Sequence, residues 1–184
     1  PVILLKDEQP DFSGTDMFRE RNTWDECVQW ITEEFTDLIE NSPLPLKSEG
    51  ETYARMNRGI AKAYLARILL QSASPQFNGN PKYNNIRNAD GTPLFPTTYD
   101  KNKWELARQA ALSLIKDGNY ELVKVNYESG ANMGKIDPYT SYKSVFTTSQ
   151  NKEMIFSYLE DGGGIDKRLA PNSNGGWGGG YNPT

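Results

Sequence analysis

The residues best suited to chemistry in this sequence are rings set among side-chain amides. Two stretches carry them. Residues 73–99 hold Phe77, Tyr83, Phe95 and Tyr99 among Asn78, Asn80, Asn84, Asn85 and Asn88. Residues 161–183 hold Trp177 and Tyr181 beside Asn172, Asn174 and Asn182, with eight of the chain's sixteen glycines. Such a set suits a sugar. A ring covers the apolar C–H face of a pyranose, amides and hydroxyls satisfy its OH groups, and glycine lets the backbone come close. The candidate ligand contacts are Trp177, Tyr181, Tyr158, Asn174 and Tyr83, chosen by loop position and chemistry. Phe77 and Phe95 read as staples that pin the 73–99 stretch to neighbouring helices. Binding and local packing both fit Trp177.

Catalysis has less to work with. The chain has 184 residues, a formal charge of -4 and no histidine. That removes Ser-His-Asp and Cys-His catalysis, histidine metal ligands and a histidine pH switch. The one cysteine, Cys27, excludes an internal disulfide and a cysteine-based zinc site. Glu33 and Glu34 lie on the solvated side of a helix, a poor place to raise a carboxyl pKa. Asp161 and Asp166 bracket three glycines but lack the ligand spacing of a calcium loop. No phosphate-binding glycine motif is present. We therefore expect no enzyme, no metal and no cofactor. Basic and acidic residues are well mixed, which argues against a nucleic-acid surface. No run of 18 apolar residues occurs, so nothing spans a membrane as a helix.

Three helices must position these loops. The first runs from about Trp24 to Asn41. Thr23 and Glu26 form a capping box, and Trp24, Val28, Ile31, Phe35, Leu38 and Ile39 make one apolar stripe. Cys27, at the stripe's edge, reads as a small buried hydrophobe. Trp30 lies off the stripe. The second runs from about 54 to 72 and is apolar most of the way round, with Gly59 and four alanines that permit close approach. It reads as the buried middle helix of a stack, leaving Arg55, Arg58, Lys62 and Arg67 to snorkel or pair. The third runs from about 101 to 117, with Trp104, Ala107, Ala111, Leu114 and Ile115 on one side and Gly118 as its stop. Between the second and third lies the insert 73–99, far longer than a tight turn. Val2–Leu5, Tyr120–Val125 and Met154–Tyr158 read as short strands, and Tyr139–Phe146 as a short helix. The start at Pro1 and the glycine-rich stop at Thr184 suggest an internal piece of a longer protein. The fold expected is one domain, 1–184, or part of one. It is mainly α, an irregular tetratricopeptide-type helical repeat with long loops and a few short strands.

Several stretches resemble the SusD/RagB family. Thr52-Tyr-Ala-Arg-Met-Asn-Arg-Gly-Ile-Ala-Lys-Ala-Tyr-Leu-Ala-Arg-Ile-Leu-Leu-Gln-Ser-Ala-Ser-Pro-Gln-Phe-Asn78 is similar to that family's alanine-rich helix and its Ala-Ser-Pro-x-Phe-Asn ending. Trp104-x-x-Ala107 through Gly118-x-Tyr120-x-Leu122 resembles its next helix and turn. Asn151-Lys-Glu-Met-Ile-Phe-Ser157 resembles one of its strands. Pro1-Val-Ile-Leu-Leu and the glycine-rich close before Thr184 also look like family segments. The resemblance covers essentially the whole chain, in order. It implies a lipid-anchored protein on the extracellular face of the outer membrane of Bacteroidota. Such a protein captures a glycan, or in some members a peptide, without catalysis. It delivers the ligand to a TonB-dependent transporter of the SusC/RagA type. The anchoring cysteine is not in this sequence, since Cys27 falls inside a helix. Family ligand contacts follow no fixed motif, so none carries over to a numbered position. A helical-repeat scaffold that docks a protein, with no ligand site, is the alternative from the residues themselves.

Overall fold

The computed structural model describes residues 1–157, apart from Asp7, Phe12 and Ser149. The expected glycine-rich loop 161–183 and the candidates Tyr158, Asn174, Trp177 and Tyr181 lie outside the described residues. The fold is mainly α. Among the described residues four α-helices follow one another: α1, Trp24–Asn41; α2, Arg58–Ala73; α3, Asn102–Lys116; and α4, Pro138–Thr147. None of them is long and apolar enough to cross a membrane.

Helix α1 begins as its sequence dictates. The Thr23 hydroxyl accepts from the Glu26 amide at 3.2 Å, and the Glu26 carboxylate accepts from the Thr23 amide at 2.7 Å. The Thr23 amide, with the Thr23 hydroxyl donating to the same carboxylate at 3.0 Å, holds the Glu26 carboxyl below its usual pKa. The predicted stripe is half-buried along its length, and Cys27 is buried. Trp30, off the stripe, is half-buried too.

Helix α2 packs on both α1 and α3, while α1 and α3 do not pack on each other, so α2 is the middle helix. Its start differs from the sequence expectation. Ala54 sits at φ +70 in a turn, and the helix begins four residues later, where the Asn57 side chain accepts from the Ile60 amide at 2.9 Å. An asparagine cap that satisfies a helix donor outweighs alanine's helix preference. Burial is also less complete than expected. Ile60, Ala61 and Ala73 are enclosed, but Tyr64, Arg67 and Leu70 lie exposed at three-residue spacing, Tyr64 beside the Phe35 ring of α1 and the edge of Phe156. Lys62 pairs with Asp117 at 2.6 Å and ties α2 to the end of α3.

On α3 the inward row is Lys103, Ala107, Ala110 and Leu114. The expected Trp104, Ala111 and Ile115 turn outward, with Ile115 69% exposed. Alanines at the contact let α2 and α3 approach closely, and the large side chains fall just outside it. The strands anticipated at 2–5, 120–125 and 154–158 are absent among the described residues. Only two single antiparallel bridges form, Arg87 with Pro93 and Asn126 with Ile136. The 120–125 segment is extended, but the Val123 amide donates to the Glu153 carboxylate (3.0 Å) and the Val125 amide to the Ser141 hydroxyl (2.9 Å). Side chains take two of the bonds that a neighbouring strand would have taken, and among the described residues only the Glu121 amide of this segment finds a backbone partner, the Lys152 carbonyl at 3.2 Å.

The insert is folded rather than loose. Asn78, buried, clamps its two ends: Nδ2 donates to the Ala73 and Asp100 carbonyls, and Oδ1 accepts from the Asp100 amide at 2.8 Å. Next to it Gly79 has φ +75, and a Cβ there would lie 2.5 Å from the Tyr99 nitrogen. Leu94 is fully buried, and its carbonyl accepts from the Trp24 amide at the start of α1.

Candidate functional site

The rings of the insert face one another. Trp24 stacks on Phe77 with centroids 4.1 Å apart, and Phe95 lies 6.1 Å from each of them. Tyr83 adds its ring at 4.8 Å from Phe95. The Trp24 indole N–H donates to the Ser72 hydroxyl at 3.2 Å, tying the cluster to α2. Phe77 and Phe95 are thus the staples expected of them. Tyr83, a predicted ligand contact, is half-buried in this cluster, with its hydroxyl at the edge 3.5 Å from Gln76 Nε2.

A large concave surface lies elsewhere among the described residues. It is an open hollow of about 1080 Å³ between three stretches: 46–53 after α1, 118–121 after α3, and 150–152 after α4. The first wall is laid along the start of α2. The Arg58 and Gly59 amides, two donors that the helix itself cannot satisfy, donate to the Pro45 and Leu46 carbonyls at 2.9 and 3.1 Å. Gly59 is required here. A Cβ would stand 2.5 Å from the Tyr120 hydroxyl and 3.0 Å from the Leu46 oxygen. Ser48, buried, donates to the Arg55 carbonyl and accepts from Asn57. Tyr53 ends this wall, half-buried, its hydroxyl donating to the Met154 sulfur at 2.7 Å.

The other walls are set by the ends of α3 and α4. Gly118 stops α3 with φ +68, a left-handed position that suits glycine. Lys47 reaches across, donating to the Asn119 carbonyl at 3.1 Å with its ammonium 5.1 Å from the Tyr120 ring centre. Burial, with Asp117 adding to it, pushes the Tyr120 hydroxyl above its usual pKa. Asn151 closes α4 by donating to the Val145 and Thr148 carbonyls, both at 2.9 Å. Gln150, just before it, has φ +54, a strained position for a residue with a side chain. Glu121 and Lys152 pair at 2.6 Å, which lowers the carboxyl's pKa and raises the ammonium's.

The hollow therefore offers the Thr52 hydroxyl, amides (Asn119, Gln150) and one ring (Tyr53) on walls held by backbone hydrogen bonds, with the Ser48 hydroxyl spent inside the wall. This arrangement can bind a hydroxyl-rich ligand. It has no nucleophile with an adjacent base, and no group of three acidic or cysteine residues able to hold a metal occurs among the described residues. None of its lining residues is among the contacts proposed from sequence. The three walls stand about 30 to 100 residues apart, so no local pattern joins them. The one usable signal was the polar run Lys47–Tyr53 with its central glycine, between two strong helices.

Among solved structures, the chain is similar to one titled BT4246. Identity is 26% at a TM-score of 0.69, over 98% of this chain and 35% of that one. A selenomethionine BT4246 structure matches at 26% identity and TM-score 0.64, over 92% of this chain and 32% of that one. The chain thus spans about a third of the length of the structures it matches. No protein-family model matches the chain, and no curated protein matches it.

Proposed function

We propose that this chain is the glycan-capturing part of a SusD/RagB-type surface protein, and that the hollow beside Tyr53 is where the sugar sits. The observation that carries this reading is the hollow itself: an open, polar concavity with a half-exposed ring, a hydroxyl and amides on a rigid helical frame. The sequence resemblance supplies the setting. It is a lipid anchor outside this sequence, the outer face of the outer membrane, and a SusC-type transporter that receives the ligand. The protein binds and hands on its ligand without turning it over. One loop-built sugar site has an affinity of about millimolar to micromolar, roughly -4 to -8 kcal/mol.

Affinity electrophoresis of the full chain through polysaccharide gels, followed by calorimetry on the oligosaccharide that retards it, tests the reading. Tyr53→Ala abolishes most of the retardation, whereas Tyr53→Phe, which keeps the ring and loses only the bond to Met154, retains it. Retardation unchanged in Tyr53→Ala removes the hollow as the site. A peptide ligand in the same place would show as calorimetric binding to oligopeptides with no glycan response.

One observation favours a second reading, a scaffold for another protein. Tyr139, Tyr142 and Phe146 lie on one side of α4 and are each more than 70% exposed. Isolation of a stable complex with a membrane partner, in a protein that retards on no glycan, supports that role.

A further inference from the structure

Resting on the glycan reading, we infer that the hollow selects uncharged sugars with neighbouring hydroxyls and discriminates against uronic-acid and sulfated ones. The four charged residues on its walls are Lys47, Glu49, Glu121 and Lys152. Both cations are already committed. Lys47 is half-buried, donates to the Asn119 carbonyl and stands over Tyr120. Lys152 pairs with Glu121. An anionic substituent at Lys152 would also meet the Glu121 carboxylate paired with it, which offsets the attraction. Glu49 is the opposite case. It is exposed at the rim, and its carboxylate makes no hydrogen bond or ion pair among the described residues. It repels an anion and accepts from a hydroxyl.

The uncommitted groups complete the pattern. The side-chain amides of Asn119 and Gln150 each carry a donor and an acceptor and make no side-chain hydrogen bond among the described residues. An amide of this kind matches two adjacent hydroxyls, one accepting and one donating. The free carboxylate and the free amides therefore all complement a neutral diol, while among the described residues Lys152 is paired with Glu121 and Lys47 is held by the Asn119 carbonyl and the Tyr120 ring.

The test is calorimetric titration of the full chain with matched pairs of oligosaccharides that differ only by a carboxylate or a sulfate. The neutral member binds about five-fold tighter at low salt. The gap narrows as salt is raised. Glu49→Gln narrows it at low salt by strengthening the binding of the acidic member. Equal or tighter binding of the acidic member, or a gap that Glu49→Gln does not change, overturns the selectivity and leaves the glycan reading standing. Absence of binding to both members overturns the glycan reading itself.

Discussion

The insert 73–99 and the hollow at 46–53, 118–121 and 150–152 contain the same kinds of side chain and use them in opposite ways. In the insert, Phe77, Tyr83 and Phe95 close on Trp24 and form a second small core. In the hollow, polar side chains remain open to solvent around a single half-buried ring. The difference lies in what each stretch can reach. The insert returns to its own start, clamped by Asn78, so its rings can meet each other and the first turn of α1. The hollow's walls come from three distant loops, and the end of each helix consumes its backbone groups. Rings with partners pack, and a concavity forms where separate loops leave a gap between them.

The sharpest way to break this contrast is through Trp24. Trp24→Ala removes the stack on Phe77 and the bond to Ser72, and costs about 3 kcal/mol of stability in denaturant unfolding. At a temperature where the variant stays folded, glycan affinity is unchanged; a loss of affinity would place the ligand on the insert instead. Gly59→Ala acts on the other region. The new Cβ must displace Tyr120 or the Leu46 wall, costing about 1–3 kcal/mol and weakening ligand binding as well. A variant with full stability and full affinity would show that the close approach is not required. Tyr53→Ala reverses the Trp24 pattern: affinity falls by about 1–2 kcal/mol in calorimetry, with a smaller loss of stability.

The smallest effect is a control away from both regions. On α3, Arg108 and Gln109 bond the Glu105 carboxylate and bring its pKa to about 2. A depressed carboxyl pKa stabilises above the unfolded value. The contribution is complete above about pH 4.5 and is lost as pH falls toward 2. Denaturant midpoints of the parent and Glu105→Gln therefore differ most near neutral pH and converge in acid. The gap is small because the pair is exposed and screened.

Much of the frame was legible before any coordinates. The capping box at Thr23 and Glu26 and the stripe behind it define α1 through contacts within one or two turns. Gly118 stops α3 for an equally local reason. Errors arose where the deciding partner is remote. Ala54 is the local exception, left outside the helix because Asn57, a few residues on, caps its start. Residues 120–125 read as a strand until Glu153 and Ser141 take their amide bonds. Trp104 and Ile115 read as core until α2 is seen to meet the alanine row beside them.

Local pattern thus determined which segments coil, where α1 and α3 begin and end, and that Phe77 and Phe95 would serve as staples. The helix bounds depend on side chains a few residues apart, whereas the staples find their partner, Trp24, only across the fold. Tertiary structure alone decided which face of α3 is buried, that α2 keeps Tyr64, Arg67 and Leu70 exposed, and that a polar hollow exists. A concave surface belongs to no segment: Lys47 meets Asn119, and Tyr53 meets Met154, only after the chain has brought together residues some 70 and 100 positions apart.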